Sequence, residues 1–314
     1  MQETNPCISV IVLTYRSNWD TLRKTLYSII LQTNIDFEII ICDDGSPNNN
    51  FERIKAYFAE YNFKRFLLIN HNQNQGTVKN LIDGLKQAKG KYIKCISPGD
   101  FLFDKNTLRF FYQHAESHPA VAYFGRALFY KLFDNEVHLL DDKQNPRDIS
   151  PWIEEDKKRI RYNYIRKRDY AVGAAFFVRK DIQLNYLLRM EDKIKYAEDY
   201  SFVMMIAEGR KIRFVDHPIV FYEYGTGVST NGLSEWNVRI SLDNKNGEQL
   251  IWPSLTLAER LEKKRKKNLG EKILRYILTP KLIMSRIGIE NMNRSVSITF
   301  TENDYINLKN IFDS

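Results

Sequence analysis

Four apolar runs, each closed by a small polar cluster, constrain this chain more than any other feature. They are ISVIVLT (8–14), FEIIICDDG (37–45), RFLLIN (65–70) and KYIKCI (91–96). A strand buried on one face alternates apolar with polar residues, whereas near-continuous runs are buried on both faces. Helical stretches separate them. Leu22, Leu26, Ile29 and Ile30 share one face of the first, FERIKAYFAEY (51–61) forms the second, and Val78, Leu81, Ile82 and Leu85 line the third, which Gly90 stops. Strands alternating with helices predict an α/β fold with a mostly parallel sheet flanked by helices.

Ligands bind such sheets at the carboxyl ends of the strands. The residues there are Thr14-Tyr15-Arg16, Asp43-Asp44-Gly45-Ser46, Asn70-His71-Asn72 and Ser97-Pro98-Gly99-Asp100. All four clusters are expected on one edge, which places the isolated Asp100 opposite a second acidic pair.

The middle of the chain is less regular. AVAYFGRALFYK (120–131) reads as one or two strands, and 134–168 as polar, basic loop with a helix. YAVGAAFFVRK (170–180) reads as a strand whose internal glycine marks a close backbone approach. YAEDYSFVMMIAEG (196–209) reads as a helix with two carboxylates at its start, and KIRFVDHPIVFYEYGTGVST (211–230) as a strand pair running into a loop. Composition turns polar and then basic near residue 235, dividing residues 1–234 from a mostly helical extension, 235–314.

Several chemistries are disfavoured. No GxGxxG follows the first strand, no GxxxxGK[ST] or GxSxG is present, and no His/Cys cluster has zinc spacing. What remains is acids at strand ends: Asp43, Asp44, Asp100, Glu198 and Asp199. Acids without histidine or cysteine suit a hard cation, Mg²⁺ or Mn²⁺, held together with a substrate phosphate.

The ordered set ISVIVLTYRSNWDTLRKTLYSIILQT, FEIIICDDGS, NQGTVKNLIDGLKQAKGKYIKCISPGD and AEDY resembles the family-2 inverting glycosyltransferases with the GT-A fold, over roughly residues 7–230. That resemblance implies transfer of a sugar from a nucleotide diphosphate, most often UDP, to a saccharide hydroxyl, with a lipid-linked surface polysaccharide intermediate as acceptor. By position it implies that Thr14, Tyr15 and Arg16 border the nucleotide, that Asp43 accepts a hydrogen bond from the base and that Asp44 supports that loop. Lys79 stands where the family carries arginine, for a phosphate or the sugar. Ser97, Pro98, Gly99 and Asp100 stand at the family's D-x-D-D element, Asp100 as the ligand of Mn²⁺ or Mg²⁺. Asp199 matches the general base, beside Glu198. Ser97 and Gly99 replace two acids of D-x-D-D, and Tyr222-Glu223-Tyr224-Gly225 replaces Y-R-x-H.

The formal net charge is +8 and gathers in 156–168 and 259–275. Localised positive charge suggests an anionic partner. The first run is either a solvated face or an acceptor-side loop, and nearby Trp152 either stacks on a sugar or is buried. In the second, Ile273, Leu274, Ile277 and Leu278 form an apolar stripe that either lies on an anionic membrane or docks on the rest of the protein. KLIMSRIGI (281–289) renews the stripe. Three unpaired cysteines, with no leader or spanning segment visible, point to a cytoplasmic protein, with peripheral contact to the inner face of the membrane as the further expectation. Nucleic acid is not an expected partner. A degenerate transferase, or a basic binding or scaffold protein without catalysis, is the alternative.

Overall fold

The computed structural model describes residues 5–134, 136–225, 234–263, 268–278 and 298–313. Its first half is a regular α/β succession: β1 (Ile8–Thr14), α1 (Trp19–Ile30), β2 (Phe37–Asp43), α2 (Phe51–Glu60), β3 (Phe66–Asn70), α3 (Thr77–Gln87) and β4 (Tyr92–Ile96). The four strands are parallel, and β1 and β2 are buried at every residue. Their register aligns Thr14 with Asp43 and Asp43 with Asn70, so the polar clusters do share one edge.

After β4 come β5 (Phe101–Leu102), α4 (Thr107–Ser117), β6 (Ala122–Phe133), β7 (Glu136–Leu139), α5 (Ser150–Ile153), α6 (Lys157–Tyr162), β8 (Phe176–Arg179), α7 (Lys180–Met190), α8 (Tyr200–Ala207) and β9 (Ile212–Glu223). All strands join one sheet in the order β3-β2-β1-β4-β8-β6-β9-β5, with β7 paired to β6. The sheet is therefore parallel through its first half and mixed beyond it.

Several sequence expectations are corrected. Residues 211–230 do not form a strand pair within the described residues. β9 is one strand whose register against β6 slips around Arg126, opposite Pro218, which cannot donate to the ladder. Residues 136–139, read as loop, form a short edge strand, since four partly exposed residues carry little periodicity. Gly173 lies not in a strand but in a 3₁₀ turn, Gly173–Ala175, ahead of β8. Glu198 and Asp199 precede α8 instead of lying within it.

The remaining helices are α9 (Ser234–Ile251), α10 (Leu257–Lys263), α11 (Leu269–Leu278) and a C-terminal helix, Glu302–Phe312. The arginines of the first basic run hold these helices: Arg161 and Arg166 pair with Glu259 and Glu262, and Arg168 with Glu248 at 2.7 Å. Trp152 is buried, edge-on to Phe124 and Tyr164. Leu308 and Ile311 of the C-terminal helix close a small apolar cluster with Phe101, Phe103, Tyr130 and Phe221. Position 281–289 lies outside the described residues. Leu308→Ala is expected to lower the unfolding free energy by about 2–5 kcal/mol, measured by urea denaturation, because it empties that cluster directly behind β5.

Candidate active site

Two loops at the edge of the parallel strands are locked by carboxylates. Asp43 is 3% exposed, and its Oδ1 accepts the Ser46 amide at 2.7 Å while Oδ2 accepts the hydroxyls of Thr14 and Ser46 at 2.9 Å. The Arg16 amide donates in turn to Ser46 Oγ at 2.6 Å. Asp44 accepts the amides of Gln75 and Gly76 at 2.7 and 2.9 Å, tying this loop to the start of α3. Burial raises the Asp44 carboxyl above its ordinary range, against those amides. Gly45 makes the turn with φ +77°, and an added Cβ would meet the Gln73 backbone at 2.5 Å. Tyr15 is exposed, with the Arg16 guanidinium over its ring.

A cavity of about 350 Å³ opens at the end of β4. Ser97, Pro98, Asp100, Glu198, Asp199 and Glu223 are in its wall. It brings together three of the predicted positions around the missing acids and both predicted base-side carboxylates. Thr14, Tyr15, Arg16, Asp43, Asp44, Gly99 and Lys79 do not line it. Lys79 lies on α3, half-buried, and the structure gives it no contact with this cavity.

Asp100 is 8% exposed, and its Oδ1 accepts the Glu223 amide at 3.3 Å. Burial pushes its carboxyl up to about 7, with Glu223 adding to the rise and Lys94 opposing it. Lys94 is fully buried on β4; burial lowers its ammonium to about 8, and it donates to the carbonyls of Cys95 and Ala174. Among the described residues, no cluster of three or more His, Cys, Asp or Glu side chains is arranged to hold a metal ion. The all-oxygen set of Asp100 and Glu223 nevertheless suits a hard cation that completes its shell with substrate phosphate and water. An added Cβ on Gly99 would run into Glu223 Oε2, so the cradle at position 99 is already filled by a carboxylate.

Glu198 and Asp199 line the same cavity. Burial raises both carboxyls, and Asp199 adds repulsion at Glu198, while the amides of Asp199 and Tyr200 soften the rise at Asp199. Neither acid is consumed as a helix cap, since the Asp199 side chain makes no cap hydrogen bond. The loop before them is held by Asp243 of α9, which sequence reasoning missed. Its buried carboxylate accepts the amides of Lys195, Tyr196 and Ala197 at 3.0, 2.7 and 3.1 Å. Nothing in its local pattern, SLDNKN, separates it from a solvated helix acid. Gly173 faces the pair from the other side: a Cβ there would lie 3.3 Å from Asp199 Cβ.

The family model for glycosyl transferase family 2 matches residues 9–184, and the chain belongs to that family. An uncharacterized glycosyltransferase, MJ1057, of Methanocaldococcus jannaschii is 24% identical over 219 residues, which are 69% of this chain and 70% of that one. The minor teichoic acid biosynthesis protein GgaB of Bacillus subtilis is 27% identical over 196 residues, 60% of this chain but 20% of GgaB. In fold, the crystal structure of S. aureus TarS 1-349 is similar with a TM-score of 0.51 and 17% identity, across 97% of this chain and 78% of TarS 1-349.

The raised carboxyls of Glu198 and Asp199 bind protons more readily in the folded than in the unfolded protein. Unfolding free energy should therefore fall as pH rises from about 4 through the raised values. Glu198→Gln is expected to flatten that part of the stability curve, measured by urea denaturation between about pH 4 and 8.

Proposed function

We propose that this glycosyltransferase moves a sugar from a nucleotide diphosphate, with UDP as the nucleotide, to a saccharide hydroxyl with inversion. The observation that carries this reading is that Asp100 and Asp199 line one cavity. Asp199, kept basic by burial, takes the acceptor O–H proton as the acceptor oxygen bonds to the anomeric carbon. The bond from that carbon to the diphosphate breaks, and its electron pair leaves with the phosphate oxygen. Attack from the face opposite the leaving group inverts the centre. The Asp199 carboxylate in turn holds up the proton affinity of Glu198 by repulsion. Asp43 and Asp44 fix the loop that borders the base, and Asp43 Oδ1 keeps an acceptor direction for it. Thr14, Tyr15 and Arg16 complete that border, while Lys79 is proposed for a phosphate or the sugar only as the donor extends along α3. Mn²⁺ or Mg²⁺ held by Asp100 would stabilise the charge growing on the departing diphosphate.

A second cleft of about 410 Å³ shares Asp199, Gly173 and Tyr222 with the first and is lined by Arg147, Lys167 and Arg168. It supports an anionic acceptor, such as a lipid-linked saccharide intermediate, reaching the base from this side. Teichoic acid biosynthesis, named for GgaB, is one setting such an acceptor fits.

Peripheral membrane contact is favoured by α11, where Leu269, Ile273, Leu274 and Ile277 are exposed beside a basic segment. No helix among the described residues is long and apolar enough to cross a membrane. Removing the whole C-terminus would also strip the helix that covers Phe101, so point changes are the better probe. Wild-type protein is expected to pellet with phosphatidylglycerol liposomes, and Ile273→Asp/Ile277→Asp to stay in the supernatant; equal pelleting would remove the membrane contact.

Calorimetry with UDP, and GDP and dTDP as controls, tests the donor. Asp199→Asn is expected to retain UDP affinity and lose at least about 10²-fold in transfer rate, the low end of a general base's contribution. Unchanged turnover would remove Asp199 as the base. Absence of both nucleotide binding and transfer in the wild type would favour the non-catalytic alternative.

A further inference from the structure

The loop Ser97-Pro98-Gly99-Asp100 carries one acid, and the cavity beside it holds a second carboxylate near that loop, Glu223. We propose that Glu223, delivered across the sheet from the end of β9, supplies the second protein carboxylate of the cation site, in the space a side chain at position 99 would take. The inference rests on the nucleotide-sugar reading above.

Strand register brings the two positions together. β5 and β9 run antiparallel with Phe101 opposite Phe221 and Leu102 opposite Val220. Continuing that register two residues outward sets Gly99 against Glu223. The contact is close: an ideal Cβ on Gly99 would collide with Glu223 Oε2 and lie 3.5 Å from Glu223 Cδ. Gly99 also has φ +100°, a conformation that disfavours any side chain there. A side chain at position 99 would have to displace the Glu223 carboxylate from this space, and this chain keeps the glutamate there.

The surrounding bonds hold this arrangement. The Gly99 amide donates to Thr25 Oγ1 at 3.1 Å, Tyr130 donates its hydroxyl to the Gly99 carbonyl, and the Glu223 amide donates to Asp100 Oδ1 at 3.3 Å. Both carboxylates line the same cavity. One or two carboxylates with substrate phosphates and water make a sufficient shell for Mg²⁺ or Mn²⁺. Glu223 returns one of the two missing carboxylates without the backbone strain of a side chain at position 99.

The test is Mn²⁺ titration of full-length protein with saturating UDP, followed by the loss of the free-Mn²⁺ electron paramagnetic resonance signal. Wild type, Glu223→Gln and Asp100→Asn are compared, with UDP affinity in EDTA and thermal unfolding measured for each. The expected result is a loss of Mn²⁺ affinity of at least about tenfold in both variants, the scale of one lost charged ligand contact. UDP affinity in EDTA should stay unchanged. A loss in Asp100→Asn alone would overturn the role of Glu223 while leaving the donor reading intact. UDP binding that never responds to Mn²⁺ in the wild type would overturn the cation site, again sparing the nucleotide. Absence of UDP binding in the wild type would overturn both.

Discussion

Buried carboxylates held by backbone amides are the interaction on which the rest of this structure depends. Taking a carboxylate out of water is unfavourable unless donors replace its hydration. Asp43, Asp44, Asp169 and Asp243 each receive two or more amide or hydroxyl donors, and each thereby fixes a loop at the site: 43–46, the start of α3, 147–148 and 195–197. None of the four is paired with a lysine or arginine side chain by a salt bridge among the described residues. Amide donors are fixed in space by the backbone, so this compensation also sets loop geometry.

Glu198, Asp199 and Asp100 are compensated less completely. Their carboxyls rise because burial outweighs the donors they receive. Burial raises Asp44 and Asp169 as well, but both are tied to loop amides. Acids served by several loop donors act as scaffold. Under-served acids retain an appetite for a proton or a cation, which is what a general base and a metal ligand require. The same logic explains why α9 matters to the site although it lies past residue 234: without Asp243, three amides ahead of Glu198 and Asp199 would lose their acceptor.

The sequence made much of the fold and part of the site legible. Continuous apolar strands such as ISVIVLT and FEIIICD carry a strong period because the sheet is covered on both faces, and the parallel half follows from them. Strand-end acids were visible for the same reason: a run that must stay buried ends abruptly at Asp43 or at Ser97. Beyond residue 120 the reading weakened. β9 looked like two strands because His217-Pro218 resembles a turn, and only pairing against β6 shows that it is a register slip. The basic run 156–168 suggested a binding face, but its arginines largely pair with Glu248, Glu259 and Glu262, which lie 80 or more residues away in the chain.

The sequence by itself determined the α/β class, the shared edge of four polar clusters and the family, and it singled out Asp43, Asp44, Asp100, Glu198 and Asp199 as candidates, since these depend on local periodicity and on motif order. Tertiary structure alone decided which of those acids face one cavity, that Asp243 anchors residues 195–197 from α9, and that Glu223 fills the space beside Gly99. Those facts depend on strand register and on contacts between residues far apart in the chain. A carboxylate's environment, not its identity, decides whether it holds a loop, a proton or a metal, and that environment is assembled only when distant segments pack together.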